Sequence, residues 1–174
     1  MTTTNVITKT TLESNPHNNI ISYLNNRNYI TDPKSPNSTT PDRTFVYDED
    51  PFMKALNFGD LPYILCEFPT IQYSNLSTDG KIKTIAWLHQ IIIRSARDGG
   101  SNARQSVGRS DLLSIGDDLQ SLFNSEARKA EFRALRMYNL DLRKVNVDTL
   151  AIQQKPLLEW AYELKYDERI KVSD

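Results

Sequence analysis

The run from Ile82 to Ala96, IKTIAWLHQIIIRSA, constrains the fold more than any other stretch of the chain. It follows a Thr78-Asp79-Gly80 turn and reads as one long β-strand, rich in β-branched residues and without glycine or proline. At period two, Ile85, Trp87, Ile91 and Ile93 share one face with His89. Ile82, Ala86, Leu88 and Ile92 share the other, thinner face. An ordinary surface strand needs one apolar face, so this one has to be covered twice. The first face is assigned to helices of the same domain. The second is assigned to another chain or to the N-terminal arm.

The neighbouring segments say what kind of sheet surrounds this strand. Upstream, residues 63 to 73 read as a strand interrupted at Pro69, and a proline inside a strand favours an edge or a bulge. The Asp-Gly turn joins it to the long strand as a hairpin. Phe45 to Tyr47 reads as a short strand, and Asp50-Pro51 as the opening of a helical turn carrying Phe52, Met53 and Leu56. Near the C-terminus, Leu158, Trp160, Tyr162, Leu164 and Tyr166 alternate with Glu159, Glu163, Lys165 and Asp167, the pattern of a half-buried antiparallel strand. Its partner, residues 138 to 150, switches phase at Arg143-Lys144, where a bulge is expected.

Two or three helices are expected. Asn15 as cap and Pro16 at the first helical position predict a short helix over 16 to 27, with Ile20, Ile21 and Leu24 on its apolar stripe. Ser110 as cap and Asp111 in the first turn predict a helix over 111 to 123, with Leu112, Ile115, Leu119, Leu122 and Phe123 at helical spacing. Residues 125 to 138 predict a second short helix, or a continuation after a break near Asn124. The order argues α+β: an antiparallel β-sheet of about four main strands in two hairpins, with two or three helices packed on one face. Residues 1–43 are read as an N-terminal arm, a short helix and a Pro-rich linker, and residues 44–174 as a single α+β domain. The expected core contains Trp87, Ile91, Leu112, Leu119, Phe123, Trp160, Tyr162 and Leu164.

Composition excludes more than it selects. A chain of 174 residues can bury a real core. A net charge of −1 gives no basic footprint for a nucleic-acid-binding domain. No apolar run is long enough to span a membrane, and the N-terminus has no secretory pattern, so folding in a cytoplasm is expected.

Candidate chemistry is sparse. Cys66, the lone cysteine, reads as a small buried residue, and with two histidines in the whole chain no Cys/His zinc site is expected. His17 reads as solvated at the polar start of its helix. His89 is either an acid/base group or, more simply, a histidine satisfied within the sheet. The acidic run Asp48-Glu49-Asp50 lacks the spacing and turn glycine of a calcium loop and reads as a solvated turn. A metal-dependent nuclease using Asp48, Asp50 and Glu67 is the enzymatic alternative, and it is disfavoured: no phosphate loop, dinucleotide fingerprint or nucleophile elbow is present. No catalytic residue, metal or cofactor is therefore assigned. Arg94, Arg97, Arg104 and Arg109 flank a Gly-rich stretch read as a long exposed loop, either solvated or in contact with an acidic partner or phosphates. With Ile82, Leu88 and Ile92 they make the candidate interface.

The order of these elements resembles a known family. LPYILCEFP, the polar turn NLSTDGK, the long strand with Trp87, the helix RSDLLSIGDDLQSLFNS and the terminal pair MYNLDLRKVNVDTL and LLEWAYELKYDERI together resemble the tail-terminator (tail-completion) proteins of long-tailed bacterial and archaeal viruses. The resemblance covers about residues 60 to 170. It implies a non-enzymatic virion protein that assembles with itself as a ring, typically a hexamer. Such a ring caps the tail tube at its head-proximal end and joins it to the head–tail connector protein. The implied partners are other copies of the chain, the tail tube protein and the connector, with non-specific DNA possible in the lumen and no membrane. The Thr/Asn/Pro-rich residues 1 to 14 and 31 to 43 and the acidic segment 48 to 50 depart from the pattern. They leave open another neck, head-completion or tail-assembly adaptor protein, and outside the resemblance a monomeric protein-binding module stands as the alternative.

Overall fold

The computed structural model describes residues 9–40, 42–50, 61–96, 102–145 and 157–172. In chain order these form α1 (Lys9–Asn25), β1 (Val46–Tyr47), β2 (Tyr63–Cys66), β3 (Thr70–Leu76), β4 (Ile82–Ala96), α2 (Asn102–Phe123), a 3₁₀ turn (Glu126–Arg128), α3 (Lys129–Ala134), β5 (Met137–Val145) and β6 (Leu157–Lys171). The class is α+β, as expected, but the sheet is larger and mixed. Its six strands run β1-β2-β4-β6-β5, with β3 also paired to β4. β1 lies parallel to β2, and the other pairs are antiparallel.

β4 is the spine. It pairs with β6 along its whole length, from Ile82 opposite Lys171 to Ala96 opposite Leu157. Its other side is shared. β2 takes the C-terminal part, with Cys66 opposite Ile91, and β3 takes the N-terminal part, with Ile71 opposite Trp87. The expected interruption at Pro69 is thus the gap between β2 and β3. Gly80, at φ 71°, makes the hairpin turn that a side chain would strain.

The expected faces of β4 hold on the helix side. Ile85, Trp87, Ile91 and Ile93 are buried in one core with Ile20 and Leu24 of α1, Leu112, Ile115, Leu119, Leu122 and Phe123 of α2, Phe132 of α3, and Leu142, Tyr162 and Leu164 of β5 and β6. The helices therefore sit together on one face. α2 crosses β6 so closely that a Cβ on Gly116 would lie 2.5 Å from the Tyr162 hydroxyl. Trp160, expected in the core, is partly buried at its margin, with the Lys144 ammonium over its ring.

On the opposite face the chain covers itself, in part. Leu61, Tyr63, Leu65 and Leu157 form a second cluster, against which Tyr47 and Ile92 pack. Ala86 is buried and Leu88 half-buried, while Ile82 is exposed. One end of the second face of β4 is thus packed by residues of β1, β2 and β6 of the same chain, and the face opens toward the other end.

Three element boundaries and irregularities need correction. α1 begins before Pro16, so Asn15 is not its cap and Pro16 lies inside the helix. Burial of Ile20 and Leu24 holds the helix where local signals predicted a start. α2 begins at Asn102, not Asp111, so much of the presumed Gly-rich loop is helical. Asp111 lies inside α2 and accepts a hydrogen bond from Ser95 Oγ at 3.0 Å, tying the helix to the end of β4. The irregularity in β5 falls between Tyr138 and Asp141, at Asn139 with φ 56°, rather than at Arg143-Lys144.

Residues 31–43 are not a free linker. Arg43 grips the fully buried Asp32 through two bonds of 2.6 and 2.7 Å and reaches the Pro62 carbonyl at 2.6 Å. The Thr31 amide donates to Asp118 of α2 at 2.8 Å. α1 and this loop therefore share the core of the sheet domain, which does not divide at residue 43. The helical turn expected at 50–56 and the arm before residue 9 lie outside the described residues.

Candidate functional site

The open part of the sheet is β3. All seven of its residues are exposed, and its outer edge pairs with no described strand. Pairing places Ile71 beside Trp87 on the helix side and Tyr73 beside Ala86 on the other, so apolar groups stand on both faces. Ile71 is 42% exposed, Tyr73 50% and Leu76 60%, with Ile82 and Val172 exposed beside the same hairpin. The strand TIQYSNL carries neither charge nor proline, the usual devices that keep an edge from pairing with another chain. The outer face has a thin polar seam: Asp167 of β6 accepts bonds from the Tyr73 hydroxyl at 3.3 Å and from the Asn139 amide at 2.8 Å.

The expected basic patch does not form a free arm. Arg94, half-buried on β4, bonds Glu159 at 2.6 Å, Asp50 at 2.9 Å and the Tyr63 hydroxyl at 3.0 Å. Burial alone would lower its pKa, but these bonds outweigh it and hold the guanidinium charged. Arg104 falls within α2 and Arg109 is exposed on that helix, while Arg97 lies outside the described residues. Of the expected interface, Ile82 belongs to the open end beside β3. Leu88 is half-buried and Ile92 packs on the second cluster.

A second constellation was not expected. His17 of α1, Cys66 of β2 and His89 of β4 converge, all buried, with their ligand atoms within 4.8 Å of one another. His17 is 2% exposed, not solvated. Its ring stacks on Phe68 at 4.2 Å between centroids and lies nearly parallel to His89 at 5.8 Å. Neither His17 ring nitrogen has a hydrogen-bond partner among the described residues. A buried polar group left so typically costs about 1–3 kcal/mol. His89 Nε2 lies 2.9 Å from the Tyr166 hydroxyl and Nδ1 lies 3.9 Å from Cys66 Sγ.

Burial sets the protonation of this cluster. It drives His89 down to about 3, helped by His17, and lowers His17 against the pull of Asp48. It pushes the Cys66 thiol up to about 12, with Glu67 and Asp48 adding to the rise. At neutral pH the cluster is two neutral imidazoles and a thiol. A protonated thiol is a poor nucleophile. Neutral imidazoles keep the lone pairs that bind metals.

A shallow polar cleft of about 290 Å³ between α1 and α3 is lined by Tyr23, Tyr29 and Glu131 among others, with both hydroxyls directed at the Glu131 carboxylate. No helix among the described residues is long and apolar enough to cross a membrane. No protein-family model and no curated protein matches this chain.

Proposed function

We propose that this chain is a structural assembly subunit of the tail-terminator type, forming a ring at the head-proximal end of a viral tail through strand-edge contacts between copies. The observation that carries the reading is β3: a seven-residue edge strand, exposed on both faces, apolar on both and lacking charge or proline. Such an edge offers a ready template for main-chain pairing with another chain, and alternate side chains give the contact its specificity. Pairing β3 with a different surface of the next copy is a heterologous contact, which closes into a ring when the rotation per subunit closes. The order of elements from about residue 60 to 170 supports the tail-terminator form of the reading. The tail tube and the head–tail connector are then the partners above and below the ring.

Electron micrographs of the purified chain, alone and mixed with tail tubes, test this. Closed rings of uniform symmetry seated on tube ends are expected. Compact single subunits in both samples would contradict it and favour a monomeric binding module.

A further inference from the structure

We propose that His17, Cys66 and His89 form a binding site for a zinc-class divalent cation, with one coordination position left for water or a carboxylate. The three residues come from α1, β2 and β4, and their ligand atoms lie within 4.8 Å of one another. Tetrahedral zinc bonds of about 2.3 Å to sulfur and about 2.0–2.1 Å to nitrogen place one sulfur and two nitrogens about 3.3–3.6 Å apart. The Cys66 Sγ to His89 Nδ1 distance, 3.9 Å, is a few tenths of an ångström longer. Closing the widest separation takes about 1–1.5 Å, shared among three side chains by rotation about their χ angles.

Two features distinguish this cluster from a lone cysteine in a core. The first is His17: 2% exposed, with both ring nitrogens unpartnered among the described residues. The second is the Tyr166 hydroxyl behind His89. In the tautomer whose Nε2–H donates to that hydroxyl, Nδ1 directs its lone pair at Cys66. Outer partners of this kind fix the tautomer and orientation of metal-binding imidazoles. One thiolate and two imidazoles suit a borderline-soft cation and not magnesium or calcium. Binding transfers the thiol proton to solvent as the metal–sulfur bond forms. The bound cation would clasp α1 to the sheet at the root of β3, where Phe68 stacks on His17.

Cobalt(II) is the probe, added to metal-free full-length protein under reducing conditions. The chain has one cysteine, so any thiolate-to-cobalt charge-transfer band reports Cys66. The expected result is that band, with intense tetrahedral d–d absorption, saturating at one equivalent and displaced by zinc, and zinc raising the melting temperature. Cys66→Ala should abolish the charge-transfer band. His17→Phe, which keeps an aromatic ring against Phe68, should remain folded and bind cobalt more than about 100-fold more weakly, beyond the 10–100-fold typical of outer partners. Absence of the band in the wild-type protein at equimolar cobalt would overturn the proposal, whatever the variants do. So would a His17→Phe variant that binds as the wild type does. In either case the residues are a stack of rings in the core. Neither outcome bears on ring assembly through β3.

Discussion

β2 and β3 run along the same side of β4, separated only by Glu67, Phe68 and Pro69, yet their environments are opposite. Every residue of β2 is buried and every residue of β3 is exposed. Both carry apolar side chains on both faces, although β2 is apolar throughout and β3 also holds Thr70, Gln72, Ser74 and Asn75. The larger difference lies in what the rest of the chain brings. β2 has β1 beside it, the helices on one face, and Leu61, Leu157 and Tyr47 on the other. β3 has β4 and, among the described residues, no strand on its far edge. Under the assembly reading proposed above, an open edge with apolar groups on both faces would be covered by another copy.

Substitutions at paired positions sharpen this contrast. The largest effect is expected beneath β3. Trp87 is fully buried, and its indole N–H donates to Glu168 at 3.0 Å. Trp87→Ala should lower unfolding free energy by about 3–5 kcal/mol in urea titrations of the isolated subunit.

Asp32 holds the loop that leads into the cover over β2. Its carboxylate meets Arg43 and, at 3.6 Å, Arg27, whose guanidinium lies over Phe45. Asp32→Ala strands these cations and should destabilise by about 3–5 kcal/mol. The same group gives a pH signature. Burial would raise its pKa, but the Arg43 and Lys34 amide hydrogen bonds and both arginine charges lower it on balance. Its stabilisation is therefore fully present above the unfolded value of about 3.9 and is lost as pH falls through the lower folded value. Thermal melts from pH 6 to 2 should show a steeper acid-side loss in wild type than in Asp32→Asn.

Leu65→Ala, in the covered strand, should cost about 2–5 kcal/mol. Ile71→Ala, in the open one, should change the subunit's stability by less than about 0.5 kcal/mol, because its side chain is exposed in the isolated subunit. Equal costs at Leu65 and Ile71 would erase the distinction between the two strands.

Much of this was legible in the sequence. The Asp-Gly turn, the length of β4, its helix-side face and the alternation of β6 all follow from patterns of short period. What was missed depends on contacts distant in sequence. Residues 102–110, NARQSVGRS, look like turn formers, yet they extend α2. Pro16 reads as a start signal and sits inside α1, since packing of Ile20 and Leu24 outweighs local preference. Arg94 reads as part of a basic arm, but three partners from separate segments hold it. The His17, Cys66 and His89 cluster has no spacing signature, because its members meet only when α1 docks on the sheet beside β2 and β4. The one signal available was His89, a polar residue in the buried phase of an apolar strand.

The most direct test of β3 as the assembly edge is the mass in solution, by light scattering, of wild type and of the Ile71→Lys/Tyr73→Lys double variant. The account predicts a wild-type assembly at a multiple of 20.0 kDa and a folded double variant at 20.0 kDa with unchanged circular dichroism. A monomeric wild type, or a double variant that keeps the wild-type mass, would contradict it.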